Sequence, residues 1–208
     1  MAISHGCEKA KSKGDWYLGQ FVDRILDEPF LKSARKRAGE QRPITRTPGS
    51  NIGHLVGLIG EMVFVDWLWG DWRLHDPAST HGKADVAGCI EVKCSAYPVA
   101  EACRMLCRDD YMEKRQPEFY VQVIIDTRSK TDEEIPPGIL ARIAGWTDHA
   151  TFSAAPKERL EGKDGRPLDY LTYVLPKVQW RPMSAFPRSS FPVPRKRNPL
   201  EALPSWIR

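Results

Sequence analysis

The longest apolar stretch follows Ser50-Asn51 and reads IGHLVGLIGEMVFVDWLW. Apolar residues fill most sides of a helical wheel there. The pattern predicts a central helix to about Trp69, capped by Ser50 or Asn51. Upstream, Asp15 to about Arg37 is expected to be helical, with Phe21, Ile25 and Leu26 as its apolar stripe and a split at Pro29. Period-two alternation marks Cys89–Cys94 and Tyr120–Asp126 as strands, and Ile139–Trp146 reads as a third. Trp72-Arg73-Leu74 is expected to start the sheet. Val99–Lys114 has helical composition, Asp164-Gly165 marks a turn, and Leu171–Leu175 is a short strand or helix.

This order predicts an α/β fold: a mixed central sheet flanked by helices, with the long helix packed against it. From Pro182 onward, prolines and basic residues dominate, with Phe186, Phe191 and Trp206 as anchors. The expected organisation is a flexible N-terminus over 1–14, one domain over 15–181, and an extended proline-rich C-terminal arm over 182–208, packed on the body or on a partner subunit.

Composition adds compartment and partner. The chain of 208 residues can bury a real core in one domain. Five cysteines at irregular spacing suit a cytoplasmic or other reducing interior better than a disulfide framework. No apolar run is long enough for a membrane span, and the first residues lack the apolar stretch of a signal peptide. A net charge of +4 and a pI near 8.8 are compatible with nucleic acid without demanding it. The distribution is more telling. Lys32, Arg35, Lys36, Arg37, Arg42 and Arg46 crowd together, opposed by Glu40. They form either a solvated helix face or a phosphate-backbone contact. Arg195-Lys196-Arg197 is a second, smaller cluster.

The candidate chemistry lies in HGKADVAGCIEVKCSAY, residues 81–97. Alternation places Glu91 and Lys93 on one face of a strand. The plain explanation is a surface ion pair, which is worth little. A three-residue loop at Val86-Ala87-Gly88, with Gly88 left-handed, would pair Asp85 with Cys89 and set it diagonally beside Glu91. Two carboxylates so placed repel unless a cation joins them, and hard oxygen ligands suit Mg²⁺ or Mn²⁺. Glu61 is a second anomaly. It stands in a stripe with His54, Leu58 and Val65 on the apolar helix, where a carboxylate is costly unless paired or metal-linked.

Asp85, Glu91 and Lys93, with Ile90 and Val92 as the intervening apolar residues, resemble the motif of the PD-(D/E)xK nuclease superfamily. Ala84 stands where the proline of that name would be. The likeness covers about residues 50–150, and its individual motifs are short. It implies a restriction-endonuclease-like core and metal-dependent hydrolysis of DNA. Asp85, Glu91 and the Val92 backbone carbonyl would bind Mg²⁺, with Mn²⁺ able to substitute. Glu61 would correspond to the glutamate of the preceding helix, reaching a metal or its water. Lys93 would serve the attacking water. Gln122 and His81 are auxiliary candidates, against the plainer readings of a sheet-edge polar residue and a loop histidine. A homodimer is expected, since two nicks on opposite strands need two active sites. The rival reading is a non-catalytic nucleic-acid-binding or structural protein that keeps the fold.

Cys89, Cys94, Cys103 and Cys107 invite a zinc or iron–sulfur site, but their spacing lacks tight pairs, and small buried hydrophobes fit better. No GxxxxGK[ST], GxGxxG or HExxH sequence occurs.

Overall fold

The computed structural model describes residues 20–40, 51–76, 84–99, 103–127, 134–162 and 165–194. The first element is a strand, β1 (Val22–Ile25), followed by helix α1 (Glu28–Glu40). This corrects the single split helix expected from Asp15 to Arg37. The Asp27 carboxylate accepts from the Phe30 N–H at 2.8 Å, and Pro29 occupies the first turn. Proline there starts a helix instead of breaking one, because its missing N–H would have no partner anyway.

Helix α2 (Asn51–Trp69) has the span its apolar pattern predicts. Trp72–Leu74 is not a strand but a 3₁₀ turn, capped by Asp71 and anchored where the Trp72 N–H meets Asp66 at 3.0 Å. It turns the chain back along α2. Strand β2 (Ile90–Ala96) follows, then β3 (Arg104–Arg108) and the short helix α3 (Asp109–Lys114). The helix expected over Val99–Lys114 is therefore a strand over Arg104–Arg108 and helical only over Asp109–Lys114. Met105 and Cys107 alternate inward between the more exposed Arg104, Leu106 and Arg108, a period of two.

The remaining elements are β4 (Phe119–Ile125), β5 (Leu140–Asp148), α4 (His149–Ser153), β6 (Lys157–Glu158) and β7 (Thr172–Pro176). The central sheet runs β1-β5-β4-β2. Its β2–β4 pair is parallel, and β4–β5 and β5–β1 are antiparallel. A second sheet, β3-β7-β6, is antiparallel.

The parallel register pairs Glu91 with Tyr120 and Lys93 with Gln122, so these four share a face. Ile90, Val92, Val121, Val123 and Ile125 pack with α1 and α2 in the larger core. On the other face, Tyr120 packs with Met105, Cys107, Tyr173 and Leu175 of the second sheet, Met112 of α3 and Phe152 of α4. The fold is thus a mixed central sheet with helices against both faces.

Two details set how tightly the layers close. A Cβ built on Gly60 of α2 would lie 2.6 Å from Cβ of Cys94, so the helix approaches β2 only because that residue is glycine. The β4–β5 register shifts between Gln122 and Val123, and Gly145 lies at this bulge with the Trp180 side chain and the Arg181 backbone against it.

The segment from Pro182 packs on the body through its aromatic anchors, but as far as Phe191 it is folded instead of extended. It makes two 3₁₀ turns, Met183–Ala185 and Arg188–Ser190. Met183 and Phe186 are buried, and Phe186 meets the rings of Phe64, Trp67, Phe119, Trp146 and Phe191. The aromatic anchors outweigh the extended preference of the prolines, and the body extends past residue 181. Residues 195–208, with the second basic cluster and Trp206, lie outside the described residues, as do residues 1–19. No helix among the described residues is long and apolar enough to cross a membrane.

Two substitution sets test this packing by urea unfolding. Gly60→Ala should cost about 1–3 kcal/mol through overpacking. Gly57→Ala on the same helix meets nothing within 4 Å and should gain up to about 1 kcal/mol. Phe186→Ala should cost about 3–5 kcal/mol, as a core truncation does, whereas a loose arm would give almost no change.

Candidate metal and active site

The chain enters the site through a tight turn. Val86 and Ile90 exchange backbone hydrogen bonds of 2.9 and 3.0 Å around Ala87-Gly88-Cys89. The loop is one residue later than the Val86-Ala87-Gly88 loop expected. Gly88 is left-handed, at φ 75°, and Ala87 joins it at φ 53°. A second bridge links Ala84 to Gly88.

Asp85 consequently does not pair with Cys89. Its carboxylate instead accepts from the Val92 N–H at 2.9 Å, at the free edge of β2. Backbone groups of alternate strand residues face alternate edges. Ile90 bonds outward to Val86 and Val92 bonds outward to Asp85, so the Val92 carbonyl lies on the Asp85 edge as well.

Glu91 and Lys93 do share a face, and their side chains meet at 2.7 Å. The pair is not the solvated one of the plain reading, because the side chains are only 11% and 24% exposed. Lys93 occupies Oε1 of Glu91. Oε2 is buried and has no hydrogen-bond partner. An acceptor left so costs stability unless something positive meets it.

The electrostatics point the same way. Burial pushes the Asp85 carboxyl well above the usual carboxylate range. Glu91 and then Glu61 add to the shift, and Lys93 and the Val92 N–H offset only part of it. Burial also disfavours the charge of Lys93, but Glu91, Cys107 and Asp85 overcome this and raise its pKa, keeping the ammonium protonated.

Glu61 comes from the helix side. It follows Gly60, which packs on Cys94, so α2 lies on the face of β2 opposite Glu91 and Lys93. Its Oε2 lies 2.7 Å from Nε2 of His75, whose side chain is almost fully buried. Glu61 is thus paired, and its partner is a histidine. His75 escaped the sequence reading because a single histidine after a helix has no periodicity to mark it. Only the turn at Trp72–Leu74 returns it to α2.

The basic residues of α1 divide. Arg35 bonds Glu28 and the Ile135 carbonyl, and Arg37 bonds the His75 carbonyl, so both hold the fold together. Lys32 and Lys36 are exposed, the latter 3.8 Å from Glu40. Arg42, Arg46 and His81 lie outside the described residues. Gln122 is buried and on the Lys93 face. It donates to Ser95 Oγ at 3.3 Å and to the Val123 carbonyl at 3.0 Å, which engages its amide within the sheet.

Cys89, Cys94, Cys103 and Cys107 are free thiols. Burial raises the pKa of all four. Among the described residues, no three His, Cys, Asp or Glu side chains converge in metal-binding geometry. Comparison with family models, with curated proteins and with solved structures gives no match.

The raised Asp85 pKa gives a signed expectation. In the window between the ordinary aspartate value and the folded value, the native state holds a proton that the unfolded state has lost. Stability from this group is therefore present at low pH and is lost as pH rises through the folded pKa. Asp85→Asn keeps an acceptor for the Val92 N–H and removes the charge. With chelator present, it should melt above the wild type at neutral pH, and the gap should close toward pH 4. Thermal unfolding across pH measures this; a variant less stable at neutral pH would contradict it.

Proposed function

We propose that this protein is a divalent-metal-dependent DNA nuclease with a restriction-endonuclease-like core. The observation that carries the reading is the Glu91 carboxylate: buried, bonded by Lys93 through one oxygen and unpartnered at the other, while burial first and Glu91 second disfavour the charge of the Asp85 carboxyl. A cation shared by Asp85 and Glu91 would relieve both. The donor set fits a hard ion, since Mg²⁺ characteristically takes one or two carboxylates and keeps several waters. The Val92 carbonyl, on the Asp85 edge, is a third oxygen of suitable chemistry. Glu61 would act through a bound water, from the other side of β2. Such a cation lowers the pKa of a bound water and draws charge from the scissile phosphate.

The protein's own groups then divide the work. Lys93 is held protonated by Glu91, so it serves as a fixed positive charge instead of a proton acceptor. It orients the attacking water and stabilises the charge that builds on the phosphate oxygens. Burial strengthens that interaction by limiting solvent screening. Lys32 and Lys36, exposed on α1, would meet the phosphate backbone at a cost in salt sensitivity.

A non-catalytic nucleic-acid-binding protein is the second reading. It is favoured by the lack of any three-ligand cluster among the described residues. Its mark would be salt-sensitive DNA binding with no cleavage and no Mn²⁺ uptake.

Cleavage of supercoiled plasmid with Mg²⁺, alongside Mn²⁺ calorimetry, separates the two. Lys93→Met should lose roughly 10²–10³ in single-turnover rate, the size expected when one transition-state charge contact goes, while still binding Mn²⁺. Glu91→Gln should lose both binding and turnover. Equal cleavage by wild type and both variants would eliminate the reading, as would no cleavage by wild type in either metal.

A further inference from the structure

His75 is more constrained than a histidine that merely fills space. Its N–H donates to the Trp72 carbonyl at 3.2 Å, and its carbonyl accepts from Arg37 Nη1 at 3.0 Å. The same guanidinium nitrogen lies 3.4 Å from the ring Nδ1. On the other side of the ring, Nε2 lies 2.7 Å from Glu61 Oε2. Arginine can only donate. With Nδ1 turned toward that donor, the consistent assignment places the ring proton on Nε2, where it is donated to Glu61.

We propose that His75 is the positioning residue for Glu61: Arg37 selects the Nε2–H tautomer, and that N–H holds Oε2 so that Oε1 is the oxygen left to serve a cation-bound water on the Asp85 side. The inference rests on the nuclease reading above. It extends that reading with a chain Arg37–His75–Glu61 running from α1 through the 3₁₀ turn into α2. The chain accounts for why Arg37, alone of the described basic residues of α1, reaches the His75 loop. It also explains how a glutamate on an apolar helix keeps one orientation. Glu61 has several rotamers to choose from, and a buried donor on a second element removes that freedom. Partners of this kind behind a ligand typically change metal affinity by about 10–100-fold when removed.

The test uses the full-length chain with Mn²⁺ as the probe. Long-range ¹H–¹⁵N correlation of the histidine rings should find His75 protonated at Nε2 and bare at Nδ1, and Arg37→Met should weaken that preference. His75→Ala should bind Mn²⁺ at least about 10-fold more weakly. His75→Gln, whose amide N–H can meet the same oxygen, should recover most of the loss. Thermal unfolding of each variant shows whether it is folded, and recovery by glutamine is a result that simple loss of packing would not give. A proton on Nδ1 overturns the proposal. So does a folded His75→Gln that binds as weakly as His75→Ala. Unchanged affinity in His75→Ala, with Glu91→Gln still losing Mn²⁺, removes the role of His75 and leaves the metal site standing. A wild type that takes up no Mn²⁺ overturns the metal site and the positioning role together.

Discussion

Everything around the candidate site depends on how closely α2 lies on β2. Helices and sheets usually pack through side chains on both sides. Here Gly60 supplies none, and the helix backbone comes down onto Cys94. Close approach removes apolar surface from water on both elements and leaves no room for adjustment at that point. It also fixes the next residue. Glu61 follows Gly60, so the contact that seals the core also fixes where this carboxylate leaves the helix. Structure and chemistry therefore share one constraint.

The second constraint is electrostatic. Burial, and then Glu91 and Glu61, disfavour the charge of Asp85, and the Lys93 ammonium offsets part of that. A protein selected for stability alone would be better served by apolar residues of similar size, since replacing a buried ion pair that way is often neutral or stabilising. The strain is concentrated at the Asp85 carboxyl and at one oxygen of Glu91, while His75 and Lys93 each satisfy one oxygen of the other carboxylates. The three carboxylates reach β2 from different directions: Glu61 from the helix side, Glu91 from the opposite face and Asp85 along the edge. That arrangement explains how Glu61 and Glu91 can both act on Asp85 although, among the described residues, no three-ligand cluster forms.

Local patterns were legible wherever one period dominated. The apolar helix over Asn51–Trp69 and the strands at Cys89–Cys94, Tyr120–Ile125 and Ile139–Trp146 follow from side-chain alternation or from length and hydrophobicity. The shared face of Glu91 and Lys93 follows from strand geometry alone. Segments failed where a short-range signal could be read two ways. Pro29 reads locally as a break in a helix, although with Asp27 before it proline begins one. Arg104–Arg108 fits helix and strand alike in composition, and pairing with β7 decided the matter. The prolines after residue 181 suggest an extended arm, but Phe186 meets four aromatic rings from distant parts of the chain and Phe191 close by.

The sequence by itself determined the residue types, the spacing of Glu91 and Lys93, the turn at Gly88 and the apolar setting of Glu61, because each depends on neighbours within a few positions. Only the tertiary structure decided the rest. It buried the Glu91–Lys93 pair, moved Asp85 from a cross-strand partner of Cys89 to the Val92 amide, and carried His75 back to Glu61. It drew Arg35 and Arg37 into internal bonds and left Lys32 and Lys36 outside. Burial, pKa and hydrogen-bond partnership are set by atoms far apart in the chain, and no local pattern of polar and apolar positions encodes which of them meet.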